Sequence, residues 1–151
     1  MPNFVHIQSP DEPAVAHYRQ LIDPDRRARE FSGEATHFIA EGQYVAEKLI
    51  DSAYELHSLL ITPERIEHMR PTLERVTAPI FVVSGAWMRE IAGFEFHRGV
   101  LACGVRPSMD DTFARAGARQ LIVALEGVSN PDNVGGVLRS IAALAGDDGS
   151  T

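Results

Sequence analysis

Between residues 37 and 106 the chain alternates short apolar runs with amphipathic blocks, and this alternation limits the possible folds more than any other feature. Residues 37–40 read as a short strand. Residues 42–50 carry apolar side chains at Val45, Ala46, Leu49 and Ile50, the spacing of one helix face. Residues 56–61 read as a second strand, and Thr62, Pro63 and Glu64 form a helix start, with a capping residue followed by proline at the first helical position. A third strand follows at 79–83, a short helix at 86–91 and a fourth strand at 100–105. Strands that alternate with helices bury a sheet between helical layers, so the pattern predicts an α/β sandwich of about 70 residues or slightly more.

The flanks are different. Residues 1–30 are polar, with a short amphipathic helix predicted over 14–22, capped by Ser9 or Asp11 and ending before Pro24. Arg26, Arg27 and Arg29 follow among Asp23, Asp25 and Glu30; on charge alone a solvated surface is favoured over a phosphate contact. Residues 107–119 have no sustained apolar face and read as a linker. Beyond it, a strand is predicted at 121–125, then a turn through Asn130, Pro131, Asp132 and Asn133, then a helix from about Val134. The resulting organisation is an N-terminal helical extension at 1–30, a sandwich domain at 31–106, the linker, and the start of a second α/β unit at 120–151.

Composition excludes several classes. With 44% hydrophobic and 23% charged residues, a folded chain is expected rather than a disordered one. A net charge of −7 is not that of a nonspecific nucleic-acid binder, so any such contact has to be local. The lone Cys103 lies in an apolar run and reads as a small core residue, which suits a reducing, cytoplasmic setting. No apolar run approaches the roughly 18 residues of a membrane span, and the first residues lack the regions of a signal peptide. The six histidines, at 6, 17, 37, 57, 68 and 97, are dispersed with no metal-ligand spacing, so no metal site is expected.

The turn at 130–136 carries candidate chemistry. Asn130 and Asn133 each offer an amide donor and acceptor, and Gly135 and Gly136 remove side chains where a nucleotide backbone can approach. Arg139 lies beyond the first turn of the expected helix and can point back to hold a phosphate or favour ionisation of a hydroxyl. From these residues alone, an ordinary strand-to-helix turn with a surface arginine is the favoured reading, and a phosphate-binding α/β protein unrelated to RNA stays open. Glu41 and Glu126 each end an apolar run before a glycine. Either can serve as a base, although for Glu41 a part in orienting the next helix is favoured.

Three stretches, in order, carry a family likeness. Residues 38–47, an apolar run entering Glu41, Gly42 and a helix, resemble the opening of the substrate-binding domain of SpoU (TrmH-type) RNA methyltransferases. Residues 97–102 are similar to the stretch closing that domain, and residues 125–139 closely resemble the first catalytic-domain motif. The resemblance implies a small three-layer α/β sandwich like the kink-turn-binding ribosomal proteins, followed by the first strand and helix of a knotted SPOUT domain. It also implies S-adenosylmethionine as methyl donor to a ribose 2′-hydroxyl, structured rRNA or tRNA as partner, and a homodimer. Asn130 and Arg139 match catalytic positions, with Arg139 implicated in activating the hydroxyl. Arg26, Arg27, Arg29, Glu41, His97, Arg98, Asn133 and Gly135 are the RNA-binding candidates. Phe96, His97 and Arg98 suit an RNA-facing surface, whereas Trp87 suits the core.

The likeness stops early. Only residues 120–151 remain for a second domain, against a typical minimum of about 50 residues. The expectation is therefore a chain that binds RNA but neither binds S-adenosylmethionine nor transfers methyl on its own, with the cofactor-binding residues outside it. A stand-alone, non-catalytic RNA-binding module is the alternative.

Overall fold

The computed structural model describes residues 2–23, 25, 36–95, 97–107, 123–128 and 130–144. Two compact units divide the chain, Met1–Ser108 and Met109–Thr151.

The first unit is built on a five-stranded mixed sheet in the order β1-β4-β3-β5-β2. The strands are β1 (Asn3–His6), β2 (His37–Glu41), β3 (Leu56–Ile61), β4 (Pro79–Val82) and β5 (Val100–Val105). β1, β4 and β3 run parallel, and β5 lies antiparallel between β3 and β2. Helices α1 (Gln43–Ile50), α2 (Pro63–Leu73) and α3 (Gly85–Ala92) belong to this unit. Ala46 and Leu49 of α1 and Met69 and Leu73 of α2 pack with Leu59, Ile61 and Val82 on one sheet face. Met88, Ile91 and Ala92 of α3, with Val15 and Tyr18, pack with Leu60, Phe81 and Leu101 on the other. Alternate residues of β3 thus serve opposite cores, which is why that strand reads as one apolar run. The expected layering and all four expected strands are present here.

Local chemistry explains the element ends. Thr62 precedes α2 in extended conformation with Pro63 in the first turn, as its sequence predicts. Ser84 caps α3 by accepting from the Trp87 N–H at 3.2 Å. Gly104 faces Phe38 across the β2–β5 pair. A Cβ there would lie 2.5 Å from the tip of the Phe38 ring, so the ring occupies the space of the missing side chain.

The N-terminal segment differs from expectation. β1 was not legible because only Phe4 and Val5 are apolar, and an exposed edge strand needs no alternation. The short helix expected at 14–22 is a 3-10 helix, Pro13–Tyr18, closed by the Arg19 N–H to the Ala16 carbonyl and followed by an extended Arg19. Three residues per turn align Val15 with Tyr18, and both are fully buried. Ser9 does not cap this helix; its hydroxyl accepts from the Asp11 N–H at 3.2 Å, ordering the turn before it.

In the second unit, the strand expected at 121–125 is not formed over 123–125, the part of it that is described. An extended segment becomes a strand only with a partner to satisfy its backbone, and those residues pair with no described strand. Helix α4 (Pro131–Leu144) begins three residues before the expected Val134. Asn130 and Pro131 account for the shift: the Asn130 side-chain oxygen accepts from the Asp132 N–H at 2.8 Å, and proline at the first position lacks the N–H that would go unpaired.

Candidate nucleic-acid interface

The end of β2, the start of α1, the first turn of α2 and the loop before β5 enclose a groove of about 440 Å³. Glu41, Gly42, Tyr44, Arg65, His97 and Arg98 supply its polar and aromatic lining. The turn from β2 into α1 depends on Gly42, which adopts φ of 88° and whose N–H donates to the Val100 carbonyl at 2.9 Å. A Cβ at Gly42 would also lie 2.8 Å from the Arg98 Cδ, so glycine there lets the arginine lie across the helix start. No side chain caps α1, which leaves the positive end of its dipole facing the groove.

Charge and exposure fit a polyanion locally despite the acidic chain. Two guanidiniums and an imidazole stand against one carboxylate, Glu41, whose Oε1 lies 4.0 Å from the Arg98 Nε. That pair is solvent-exposed and weak, so Arg98 keeps its capacity to meet a phosphate. Tyr44 is 84% exposed at the groove mouth, an aromatic face on which a base can stack.

Of the RNA-facing candidates, Glu41, His97 and Arg98 meet in this groove. Arg26, Arg27, Arg29 and Phe96 lie outside the described residues. Trp87 and Phe94 are half-buried against the core, which makes packing the use of Trp87. Cys103 is fully buried in the same core. Sequence reasoning missed Arg65 and Tyr44. Arg65 reaches the groove only through the fold, but Tyr44 was legible, since Ala46 and Leu49 define the buried face of α1 and Tyr44 lies off it.

The remaining candidates belong to the second unit. Asn130 caps α4, Asn133 and Arg139 are exposed on it, and Gly135 lies between them. The Arg139 Nη1 lies 3.3 Å from where a Gly135 Cβ would be, so the guanidinium turns back one helical turn, as residues four apart allow. Glu126 is exposed, just before Gly127.

The apparent dispersion of the histidines does not survive folding. His17, His37 and His57 come together on the sheet face that carries the 3-10 helix, with ring centroids 4.2–4.8 Å apart. Burial, and then the neighbouring His57, hold the His37 pKa below its ordinary value, while Glu55 opposes the shift.

Comparison with known proteins sharpens this picture. No family model matches the chain. An uncharacterized tRNA/rRNA methyltransferase of Mycobacterium bovis is 35% identical over 142 residues, covering 93% of this chain and 49% of that protein. A Mycobacterium tuberculosis protein with the same description matches to the same extent. The chain thus spans about half the length of the curated relatives it matches. Among solved structures, an RNA 2′-O ribose methyltransferase superposes with a TM-score of 0.57 at 18% identity, covering 92% of this chain and 52% of that one. The sheet and helices therefore form a mixed α/β fold similar to that seen in an RNA methyltransferase. Over nearly all of its length the chain is similar to proteins described as tRNA/rRNA methyltransferases, in keeping with the SpoU-type likeness of its motifs.

Proposed function

We propose that this chain provides the RNA-binding portion of a cytoplasmic methyltransferase that modifies a ribose 2′-hydroxyl of structured rRNA or tRNA, with S-adenosylmethionine as donor. The observation that carries this reading is the groove at the start of α1, where Arg65, His97, Arg98 and the exposed Tyr44 converge beside an uncapped helix terminus. A phosphate is held there by the guanidiniums and the first-turn N–H groups, and an unstacked base lies on the Tyr44 ring. Kink-turn-like RNA, bent to expose both backbone and bases, suits such a site. Arg26, Arg27 and Arg29, which lie outside the described residues, are offered as further RNA contacts on their charge.

The described residues of the second unit do not fit the methyl donor by themselves. A Cβ added at Gly127 or Gly136 would enter open space and residues 123–128 are exposed, so the described residues form no enclosed pocket for the donor. Asn130 and Arg139 are offered as catalytic residues with Asn133 and Gly135 as RNA contacts; the chain alone binds RNA without transferring methyl.

Filter binding with a labelled rRNA fragment and a tRNA, across a salt series, tests the groove. Arg98→Ala is expected to lower the salt slope by about 1, and Tyr44→Ala to weaken binding by about 1–3 kcal/mol. Affinity and slope unchanged in both variants would remove the groove from the interface.

A further inference from the structure

His17 lies on the 3-10 helix, His37 opens β2 and His57 sits in β3, yet ligand atoms of all three lie within 4.8 Å of one another. We propose that these histidines bind a divalent late first-row transition ion, with Zn²⁺ as the best chemical fit. This site is independent of the RNA groove: it uses none of the residues that line it.

The fold holds the three rings deliberately. Pairing between β3 and β5 shifts register between Leu56 and Ser58, so His57 is the extra residue of a β-bulge. A bulge re-aims side chains, and here Leu56 packs with the α1–α2 core while His57 reaches the rings on the opposite face. The Tyr18 hydroxyl and Ser58 Oγ, both buried, are hydrogen-bonded at 2.8 Å and pin the 3-10 helix to that bulge. His17 and His57 are the chain neighbours of that pinned pair, so the same bond places both.

Hydrogen bonding also prepares the nitrogens. The His37 Nδ1 lies 2.8 Å from the Thr36 Oγ1, and the His57 Nδ1 lies 3.0 Å from the Ser58 Oγ. Nδ1–H groups donating to these hydroxyls leave the Nε2 lone pairs as ligands, the outer-shell arrangement that orients metal-binding imidazoles. The Ser58 oxygen has two lone pairs and accepts from both Tyr18 and His57. Tetrahedral zinc with Zn–N bonds of about 2.0–2.1 Å needs nitrogens about 3.3 Å apart, which small rotations of the rings supply. All three rings are half-buried, so water completes the coordination. Imidazole donors favour zinc, copper and nickel over magnesium and calcium, and the Glu55 carboxylate acts on His37 with the charge a cation prefers. A bound ion would cross-link the N-terminal segment to β2 and β3.

Untagged chain stripped with a chelator and titrated calorimetrically with ZnCl₂ tests the site. One ion per chain is expected, with a higher melting temperature on loading and, with Co²⁺, the visible absorption of a tetrahedral ion. His17→Asn and His57→Asn are each expected to weaken zinc binding by more than about 10-fold, and Thr36→Val, which removes only the outer hydroxyl, by about 10-fold. His68→Asn, on α2, should bind as the parent does. Stripped variants that melt like the stripped parent establish an intact fold, and His37→Asn on the edge strand takes the place of either replacement that unfolds. No stoichiometric zinc binding by the parent, or parental affinity in the folded histidine variants, would overturn the proposal.

Discussion

Among the described residues, the two units of this chain differ in how deeply they bury apolar side chains. In the first, Leu59, Leu60 and Ile61 of the central strand are fully buried, each serving one of two cores. In the second, Val123, Leu125, Val128 and Leu138 are all more than a third exposed. Helix α4 has a cap, a proline start and an amphipathic pattern, a clear local specification. Local specification makes a helix, but burial of its apolar face supplies most of its stability.

The strongest way to break this contrast is to truncate a core leucine. Leu60 packs among Tyr18, Phe81 and Leu101 with no exposure, so Leu60→Ala should destabilise the first unit by about 2–5 kcal/mol through lost transfer energy and a residual cavity. Urea unfolding followed by circular dichroism measures it. A loss under about 1 kcal/mol would mean that the sheet unit collapses around the gap and is not the rigidly packed half of the pair.

The same contrast explains what the sequence made legible. Helices and strands at 37–106 could be read because alternate burial imposes a period on them, from the Ala46 and Leu49 face of α1 to the double-sided run of β3. β1 could not be read, since an edge strand of four exposed residues leaves no period. The type and end of the 3-10 helix were not legible because two buried positions, Val15 and Tyr18, satisfy either helical period. Glu41, His97 and Arg98, singled out through the resemblance of their stretches, share the groove, whereas Arg65 arrives from another helix. The histidine cluster was the least legible, because a β-bulge and one tertiary hydrogen bond bring its members together.

That tertiary bond offers a subtler test. Burial pushes the Tyr18 hydroxyl pKa up, above the roughly 10 of an unfolded tyrosine, although the Ser58 bond partly opposes it. A raised folded pKa means that the unfolded chain ionises first as pH rises. Tyr18 therefore contributes its full stability below about pH 10 and loses it above. Tyr18→Phe should cost about 1 kcal/mol near neutrality, where Ser58 keeps its contact with His57, yet unfold less steeply on going above pH 10. Urea midpoints for both proteins across pH 7–11 check the sign; parallel curves would show that the hydroxyl is not shielded from solvent as the packing implies.

The smallest expected effect lies in the second unit and is the most discriminating. Leu138 is 57% exposed on α4, so Leu138→Ala removes little buried surface and replaces one good helix former with a better one. The change should stay within about 0.5 kcal/mol, read from amide exchange along α4. Repeating the measurement with the chain at rising concentration separates two states of the same residue. If self-association covers α4, the cost of Leu138→Ala will grow with concentration toward the value of a buried leucine, and the difference between the two units will be one of occupancy rather than of sequence.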